Sequence, residues 1–417
     1  MNNDTLFDQM VQRLGAELKG LHGQVQQGQV SAAVVEGLIR KRMWEFGAQA
    51  AGVILEAADG VLVGDRPVHD RRTRTVVTLF GPVDITRSRC QDGSYPLDEA
   101  LGLEGQHGWT VAVQEAVSLV GCECGFASVG DLMERLLQIR ISGPSVQEVC
   151  EQAGERAEAL RAENPPPPET AEGKTLIVQT DGCQAPQRDG WHEVKVALLQ
   201  VGESRCRTAG GRRKVLDKEY LATLEGAEGL GRHLRERAAR WGAQNARRVV
   251  VMGDGAPWIW NLADEHFPGA VEIVDFYHAV EHLWATGEAL FGDRERSAAT
   301  KGWVWHQRRE LRQGRVDRVL QAIERAEARA SPERGEERAT VVRRNREYFR
   351  TNQSRMRYDQ FRRWRLPIGT GAVEGSCKFV VQSRFKRPGS RWSRPGLAKM
   401  LALKILRLIL QRYEGIH

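Results

Sequence analysis

The chain lacks the features that carry a protein into or across a membrane. No basic segment followed by a short apolar stretch opens the 417-residue sequence, and no run of 18 apolar residues occurs in it. We therefore expect a cytoplasmic protein with neither a secretion signal nor a membrane span.

Paired metal-binding cysteines and closely spaced histidines are also missing. The seven cysteines include Cys122 and Cys124 as a CxC pair, and the others are scattered without the CxxC spacing of a zinc site. An odd number of cysteines fits a reducing compartment. None of the ten histidines forms the His-x-His pair that a rolling-circle nuclease would need.

Acidic residues are scarce in the last quarter of the chain. Between residues 343 and 417, nineteen Lys and Arg stand against four acids, a balance of about +15. Because the whole chain has a net charge of +7, residues 1–342 carry about −8. Such a basic region attracts a phosphate backbone and makes binding salt-dependent. The alternative interpretation is a solvated basic helix.

A composition of 41% hydrophobic and 28% charged residues indicates a globular protein of two or three domains. Four consecutive prolines predict a linker at 163–173, because proline forbids a continuing helix. The preceding module, 1–162, is predicted to be mainly helical, with a small β-hairpin around Gly81-Pro82.

One segment of this N-terminal module resembles a helix-turn-helix. Leu132, Leu136 and Leu137 would face the core, and Ser142-Gly143-Pro144 would make the turn before a second helix. The pattern favours binding of DNA by the module, although two packed helices joined by a Gly-Pro turn look the same.

Strands and helices alternate after the linker. The predicted order is three strands, a helix, a strand, a helix and a strand, with the strands at 174–180, 193–202, 214–222, 247–253 and 271–276. This order is that of an α/β catalytic core of ribonuclease-H-like fold, which we place at 174–276. An all-helical insertion, 277–366, follows it, and residues 367–417 complete the core with basic C-terminal helices.

Three acidic residues stand where this arrangement would bring them together. Asp181 ends the apolar run TLIVQTD, Asp254 ends RVVVMGD, and Glu374 lies in GTGAVEGSCK where a loop enters a helix. Converging carboxylates bind Mg²⁺ or Mn²⁺, and two such ions roughly 3.5 to 4 Å apart promote phosphodiester cleavage. Singly, each Asp-Gly pair is also a common turn.

Basic residues follow Glu374 closely. Lys378, one turn later, would pair with Glu374 or contact phosphate. The residues predicted to hold backbone phosphates also include Arg384, Lys386, Arg387 and Arg391. Trp392 would either stack on an unpaired base or pack in the core.

Several segments together resemble a known family. TDG at 180–182, GDGAPWIW, FPGAVEIVDFYHAVEHL and GTGAVEGSCKFVVQSRFKRPGSRW are similar to segments of bacterial insertion-sequence transposases of the ISKra type, relatives of Mutator-like transposases. The resemblance implies that Asp181, Asp254 and Glu374 are a DDE triad. It also implies that Asp275 and His278 support the active site or position DNA.

The function that this resemblance implies is metal-dependent DNA cleavage at transposon ends and strand transfer into target DNA. Two Mg²⁺ or Mn²⁺ ions per active site would be the cofactors. Transposon-end DNA and target DNA would be the partners, and the need to bring two ends together predicts at least a homodimer.

Three alternatives remain open from the sequence. The first is a transposase-derived DNA-binding protein that no longer cuts. The second is a zinc metallopeptidase, because His278, Glu281 and His282 match the HxxEH pattern. The third is a recombinase that uses Tyr348 or Tyr358 as a covalent nucleophile, although that hypothesis leaves the three carboxylates unexplained.

Overall fold

The computed structural model describes residues 3–103, 108–163, 170–207, 213–215, 218–291, 297–328 and 336–414. The chain divides into two compact units, Met1–Ala153 and Gly154–His417. The division lies inside a helix, earlier in the chain than the predicted linker. The proline-rich centre of that linker, 164–169, lies outside the described residues.

The first unit begins with two long helices and a β-hairpin. Ser31 caps the second helix, since its hydroxyl accepts a hydrogen bond from the backbone amide of Ala33 at 3.3 Å. Gly81 takes a φ of 99° at the hairpin turn, a conformation that favours glycine. The elements are α1 (Asn3–Gln26), α2 (Ala32–Val63), β1 (Val68–Thr78), β2 (Gly81–Cys90), α3 (Pro96–Ala100), α4 (Val111–Gly121), α5 (Phe126–Leu137) and α6 (Gly143–Glu163), which extends into the second unit.

The predicted helix-turn-helix differs from the observed structure in its turn and its core. Gly143 and Pro144 begin α6 instead of forming the turn, which lies before them. Val129 and Met133 are the buried residues of α5, whereas Leu136 is 57% exposed. The prediction that Leu136 faces the core was wrong: its side chain is exposed, and its backbone oxygen accepts a hydrogen bond from Arg40 of α2.

One helix among the described residues, α2, is long and apolar enough to cross a membrane by length and composition. Core helices of soluble proteins and signal sequences pass the same test. The expectation that the chain has no membrane span therefore stays a prediction.

A five-stranded sheet organises the second unit. Its order is β7-β4-β3-β8-β9, in which β7, β4 and β3 are antiparallel neighbours and β8 and β9 run parallel to β3. A separate small antiparallel pair is formed by β5 and β6. The strands are β3 (Thr175–Gln187), β4 (Gly190–Val201), β5 (Arg205–Arg207), β6 (Arg213–Val215), β7 (Lys218–Thr223), β8 (Arg248–Gly253) and β9 (Val271–Val274).

The middle of the sheet is fully enclosed. Leu176, Ile177 and Val178 are consecutive on β3 and all 0% exposed, as expected for a strand covered on both faces. The helices that follow β7 and β8 are α7 (Gly226–Arg240) and α8 (Pro257–His266). Leu230, on α7, and Ile259, on α8, belong to the same hydrophobic core as β3.

The helical region after β9 shares that core. Its helices are α9 (Phe276–Phe291), α10 (Ala298–Arg312), α11 (Val316–Ala328), α12 (Glu336–Thr351) and α13 (Tyr358–Arg363). Phe276, Leu311 and Phe349 of these helices lie in one cluster with the sheet residues. The predicted insertion is therefore helical but packs as part of the second unit.

The chain then returns to the sheet through short helical segments. They are α14 (Gly371–Ser376), a π-helical segment at Cys377–Gln382, α15 (Ser383–Phe385) and the long α16 (Arg394–Glu414). The loop before α14 lies against the start of α9, because the backbone amide of Phe276 donates to the carbonyl oxygen of Ile368 at 2.8 Å. This return places α14, which carries Glu374, against β3, the strand that carries Asp181.

Candidate active site

Asp181, within β3, and Asp254, which directly follows β8, occupy equivalent positions along these two adjacent parallel strands. The register of β3 and β8 pairs Gln179 with Met252. Asp181 and Asp254 each lie two residues further along the chain from this pair. The register therefore places the two residues at neighbouring positions, and their convergence on a metal stays a prediction.

The Asp181 carboxylate is half-buried and has two local donors. Its Oδ1 accepts a hydrogen bond from the amide of Gly182 at 2.7 Å, and its Oδ2 accepts one from the thiol of Cys377 at 3.4 Å. Burial is the main reason that the pKa of Asp181 is raised above its ordinary value, and the charge of Asp254 adds to it. The two donors and the nearby His278 act in the opposite direction. Removing water from this carboxylate therefore favours a bound cation.

Asp254 is held by the turn that follows β8. Its Oδ1 accepts a hydrogen bond from the amide of Ala256 at 2.9 Å, and its backbone oxygen accepts one from the hydroxyl of Tyr348 at 2.7 Å. Gly255 between them takes a φ of 105°, and a Cβ there would lie 2.6 Å from the Tyr348 ring. Only glycine lets the turn and the tyrosine come this close.

Asp275 connects the start of α9 to the loop that precedes α14. This side chain is 1% exposed, and its Oδ1 accepts hydrogen bonds from the amides of Tyr277 at 2.5 Å and His278 at 2.8 Å, where it caps the N-terminus of α9. Its Oδ2 accepts hydrogen bonds from both the amide and the hydroxyl of Thr370. The Thr370 hydroxyl also lies 3.3 Å from Oε1 of Glu374. Asp275 is therefore a buried link between α9 and the loop that leads to Glu374.

Glu374 is exposed on α14, and α14 is fixed to β3 by a second buried link. The side-chain oxygen of Gln179 accepts a hydrogen bond from the amide of Val373 at 3.2 Å. Gln179 is 1% exposed and precedes Asp181 by two residues on the same strand face. The position of Glu374 relative to Asp181 is thus set by backbone contacts as well as by side chains.

The predicted histidines lie at the edge of the carboxylate site, where they contact each other. His278 and His282 have ring centroids 5.0 Å apart, and the His282 ring stacks on Tyr348 at 3.7 Å. Nδ1 of His282 is 2.7 Å from the side-chain oxygen of Asn345, and Nδ1 of His278 is 3.3 Å from Glu281. These partners occupy one ring nitrogen of each histidine, and the zinc-peptidase alternative stays a hypothesis.

The three predicted metal ligands are all carboxylates. Asp181 and Asp254 supply two carboxylates at one edge of the sheet, and Glu374 lies on the adjoining helix. Oxygen ligands of this kind are those that Mg²⁺ and Mn²⁺ prefer. Within the described ranges, no three His, Cys, Asp or Glu side chains form a group that could hold a metal ion. The hypothesis of a divalent-metal site therefore rests on Asp181 and Asp254, and on the position at which α14 holds Glu374.

Of the predicted DNA contacts, four are on the surface and two are not. Lys378, Arg387 and Arg391 are exposed, and Lys386 is half-buried with its Nζ 5.9 Å from the ring of Trp191, which is 62% exposed. The other two residues are enclosed, so neither side chain is open to a DNA phosphate or base: Arg384 is 2% exposed and Trp392 is 7% exposed.

Packing explains the burial of these two side chains. The Arg384 guanidinium lies over the Trp392 ring at 4.8 Å, and the indole nitrogen donates to the backbone oxygen of Phe385 at 3.3 Å. The backbone of Trp392 also pairs with the end of β3 near Pro186. The prediction that Arg384 and Trp392 contact DNA is corrected accordingly, and both residues support the core.

Several contributing residues were not predicted from the sequence. Gln179, Thr370 and Cys377 contact a carboxylate or the helix that carries one, and Tyr348 contacts the backbone oxygen of Asp254. Thr370 and Cys377 could have been found from their spacing, since they lie four residues before and three after Glu374. No such spacing relates Tyr348 to the site, because it lies on α12, which is distant from Asp254 in the chain.

Comparison with known proteins gives the family. A family model described as "Uncharacterised protein family (UPF0236)" matches residues 28–412. A "UPF0236 protein in vanSb 3'region" from Streptococcus gallolyticus is 23% identical over 365 residues, covering 84% of this chain and 77% of that protein. Two UPF0236 proteins of Caldanaerobacter subterraneus subsp. tengcongensis are each 23% identical over 386 residues, covering 87% of this chain and 74% and 70% of theirs.

These findings overturn the family assignment made from sequence motifs. The segments around the three acids resembled ISKra-type transposases, but the matching family model and these relatives carry the UPF0236 name and no transposase name. Short motifs around acidic residues at strand ends were thus too weak to identify the family, whereas the model match extends over most of the chain. The chain belongs to the uncharacterised protein family UPF0236.

Proposed function

We propose that this protein catalyses metal-dependent phosphoryl transfer on DNA, cutting at transposon ends and joining the freed ends to target DNA. The observation that carries the proposal is that Asp181, on β3, and Asp254, directly after β8, occupy equivalent positions along two adjacent parallel strands. The links from Gln179 and Asp275 to the segment bearing Glu374 support it.

The three carboxylates would hold Mg²⁺ or Mn²⁺. When bound, the metal would supply Lewis-acid chemistry for water activation and for the developing charge on the leaving oxygen. The protein would hold its ligands in position: Asp181 through Gly182 and Cys377, Asp254 through Ala256, and Glu374 through α14. Two neighbouring negative charges repel each other, and a bound cation would relieve this repulsion.

The sheet supports a ribonuclease-H-like core for this activity. Apart from the small β5 and β6 pair, the first three strands in chain order, β3, β4 and β7, are antiparallel neighbours. The next two, β8 and β9, lie on the other side of β3. In that arrangement one acid lies on the first strand and the second at the end of the fourth. Asp181 and Asp254 have those positions in the observed order β7-β4-β3-β8-β9.

Basic residues beyond Glu374 would hold the DNA backbone. Lys378 lies one turn after Glu374, and Arg387 and Arg391 follow it on the surface. Lys386 and the exposed Trp191 would extend this surface to the end of β4. Contacts of this kind position DNA without selecting its sequence. Recognition of transposon ends would then fall to the N-terminal unit, and synapsis of two ends would require at least a homodimer.

The test is cleavage of labelled DNA that carries the sequences flanking the encoding gene, with Mg²⁺ or Mn²⁺. Asp254→Ala is compared with Asp264→Ala, an exposed aspartate on α8 that serves as a matched control. We expect metal-dependent nicking and end joining by the wild type and Asp264→Ala, and loss of both by at least 1,000-fold in Asp254→Ala, on the order of the loss when one essential group is removed.

The outcomes separate the proposed enzyme from its alternatives. A protein that binds the flanking DNA but never cuts it would be a DNA-binding protein without catalytic activity. Equal loss of cutting in Asp254→Ala and Asp264→Ala would remove the carboxylate site from the mechanism. Absence of both binding and cutting would refute the proposal.

A further inference from the structure

A second site lies in the helical region, away from the carboxylates. The end of α9 and the facing sides of α10 and α11 line a cavity of about 800 Å³. This volume is in the range of cavities that bind small molecules. None of the residues that line it belongs to the carboxylate site, so the proposed reaction leaves it unexplained.

The wall of this cavity is strongly basic. Among the described residues, Arg309, Arg315, Arg318 and Arg325 line it, together with one acid, Glu310. Guanidinium groups bind phosphate with directed pairs of hydrogen bonds, which makes arginine the preferred residue for phosphate recognition. A concave surface with this excess of positive charge attracts an anion.

Glu310 fixes two of the arginines in place. It is 3% exposed, and its two oxygens accept hydrogen bonds from Nε and Nη2 of Arg315, both at 2.6 Å. Nη1 of Arg318 donates to the same carboxylate at 3.3 Å. One buried acid therefore holds two guanidinium groups side by side, and the second of them has a side chain that is 65% exposed. This arrangement is a preorganised anion site, because the arginines are already ordered before a ligand arrives.

Aromatic residues line another part of the same cavity. Phe291 and Trp303 have ring centroids 6.2 Å apart, and Phe291 is 42% exposed. Exposed aromatic rings beside a basic surface bind the flat face of a nucleic-acid base. Phosphate-binding and base-binding groups thus lie in one cavity.

We infer that this cavity binds an unpaired nucleotide of single-stranded DNA, with backbone phosphate at Arg315 and Arg318 and the base against Phe291. In a duplex the bases are stacked and paired, so a ring in a cavity reaches a base only when it is unpaired. The choice of DNA as the polymer rests on the proposed function. The nucleotide chemistry rests on the cavity itself.

The test measures binding of a short fluorescein-labelled oligothymidylate by fluorescence anisotropy without divalent metal. Arg318→Glu is compared with Arg343→Glu, an exposed arginine of α12 outside the cavity lining. We expect Arg318→Glu to weaken binding about tenfold or more, the effect of losing a charged hydrogen bond, and Arg343→Glu to have much less effect.

A second pair of variants tests the base. Phe291→Ala should weaken binding about fivefold or more, whereas Trp305→Ala, an exposed tryptophan of α10 outside the lining, should not. Each variant is checked by circular dichroism and thermal melting. Both pairs are repeated with a duplex of the same length, for which Phe291→Ala should have no effect.

Several results would overturn the inference. Equal weakening by Arg318→Glu and Arg343→Glu would mean diffuse attraction to a basic surface. Competition by inorganic phosphate or thymidine monophosphate at the same concentration as the oligonucleotide would mean a site for a free small anion. An equal effect of Phe291→Ala on duplex and single strand would remove the base from the site.

Failure of this inference is distinguishable from failure of the proposed enzyme. Asp254→Ala should retain oligonucleotide binding, because Asp254 does not line the cavity. A protein that binds through Arg318 but never cuts DNA would refute the proposed function alone. A protein that cuts DNA but binds equally well after Arg318→Glu and Phe291→Ala would refute the cavity assignment alone.

Discussion

Asp275 and Thr370 are 95 residues apart in the chain, yet one oxygen of the aspartate accepts hydrogen bonds from both the amide and the hydroxyl of the threonine. The other oxygen caps α9. The loop leading to Glu374 is consequently anchored to the same side chain that begins the helical region. Any shift of this aspartate would move Glu374 relative to the sheet.

Replacement of Asp275 should therefore affect both stability and activity. Asp275→Ala leaves several buried donors without an acceptor, and we expect it to lower the free energy of unfolding by about 3 kcal/mol. Asp275→Asn keeps one acceptor oxygen and should fold, with a smaller loss of stability. Denaturant unfolding of both variants measures these effects.

The conservative variant Asp275→Asn separates a role of Asp275 in positioning Glu374 from a role in folding alone. Asp275→Asn should lower DNA cleavage at saturating metal, because the loop before Glu374 loses part of its anchor. Asp264→Ala, which removes an exposed aspartate, should leave stability and cleavage unchanged. Full cleavage by a folded Asp275→Asn variant would contradict the positioning role.

Asp181 should respond to pH and metal in a way that reflects its environment. Its pKa is raised in the folded protein, chiefly by burial. A carboxyl with a raised pKa stabilises the fold below its unfolded pKa, and this contribution is lost as the pH rises through the folded value. At neutral pH, Asp181→Asn should consequently make the metal-free protein more stable, and below about pH 3.8 the difference should vanish.

Bound metal should instead make the wild type more stable than Asp181→Asn. With a divalent cation at 100 times its Kd, the wild type should gain about 2.7 kcal/mol of stability, because only the folded state has the site. Asp181→Asn should gain much less. Thermal melting with Mg²⁺, Mn²⁺ or a chelator measures both effects, and an equal gain in wild type and variant would contradict metal binding by Asp181.

The strands that carry the two aspartates could be predicted from local sequence. TLIVQTD and RVVVMGD are short apolar runs, and strands occur at both, β3 and β8. Such runs predict strands because a buried strand carries apolar side chains on both faces. Their adjacency was expected from the ribonuclease-H-like strand order. The prediction that Asp181 ends its strand was wrong, because β3 continues to Gln187 in its pairing with β4.

Contacts between distant segments could not be predicted in this way. No local pattern relates Asp275 to Thr370, and burial of Arg384 and Trp392 depends on how they pack against each other and against the end of β3. The segment Cys377–Gln382 is also π-helical. Its different hydrogen-bond spacing shifts side chains away from the face that the α-helical repeat of 3.6 residues predicts.

Glu310 should make the stability of the folded protein depend on pH under acidic conditions. Hydrogen bonds from Arg315 lower the pKa of Glu310 to about 2, and the charges of both arginines add to the effect. A carboxyl with a lowered pKa stabilises the fold above its unfolded pKa, and that contribution is lost as the pH falls from about 4.5 towards 2.

Glu310→Gln should remove this dependence. The variant loses a charged pair and should be about 1.5 to 3 kcal/mol less stable at neutral pH, with little further loss between pH 4.5 and 2 from this site. Unfolding by urea at a series of pH values measures the difference. A constant difference between wild type and variant over that interval would contradict the strong pairing of Glu310 with the arginines.

The thiol of Cys377 should be unreactive in the folded protein. It is 3% exposed, donates to Asp181 and contacts Cys183. The hydrogen bond with Cys183, burial and the charge of Asp181 all raise its pKa, and the thiolate is the form that reacts with alkylating agents. Alkylation with iodoacetamide should therefore modify the half-buried Cys124 before Cys377.

Two substitutions of Cys377 distinguish its donor from its volume. Cys377→Ser keeps a donor for the Asp181 carboxylate, whereas Cys377→Val fills a similar space without one. Because the donor lowers the pKa of Asp181 against the effect of burial, its loss should raise that pKa further. We expect the pH at which metal-dependent cleavage begins to rise in Cys377→Val and to stay near the wild-type value in Cys377→Ser. Identical pH profiles for Cys377→Val and the wild type would mean that the thiol only fills space.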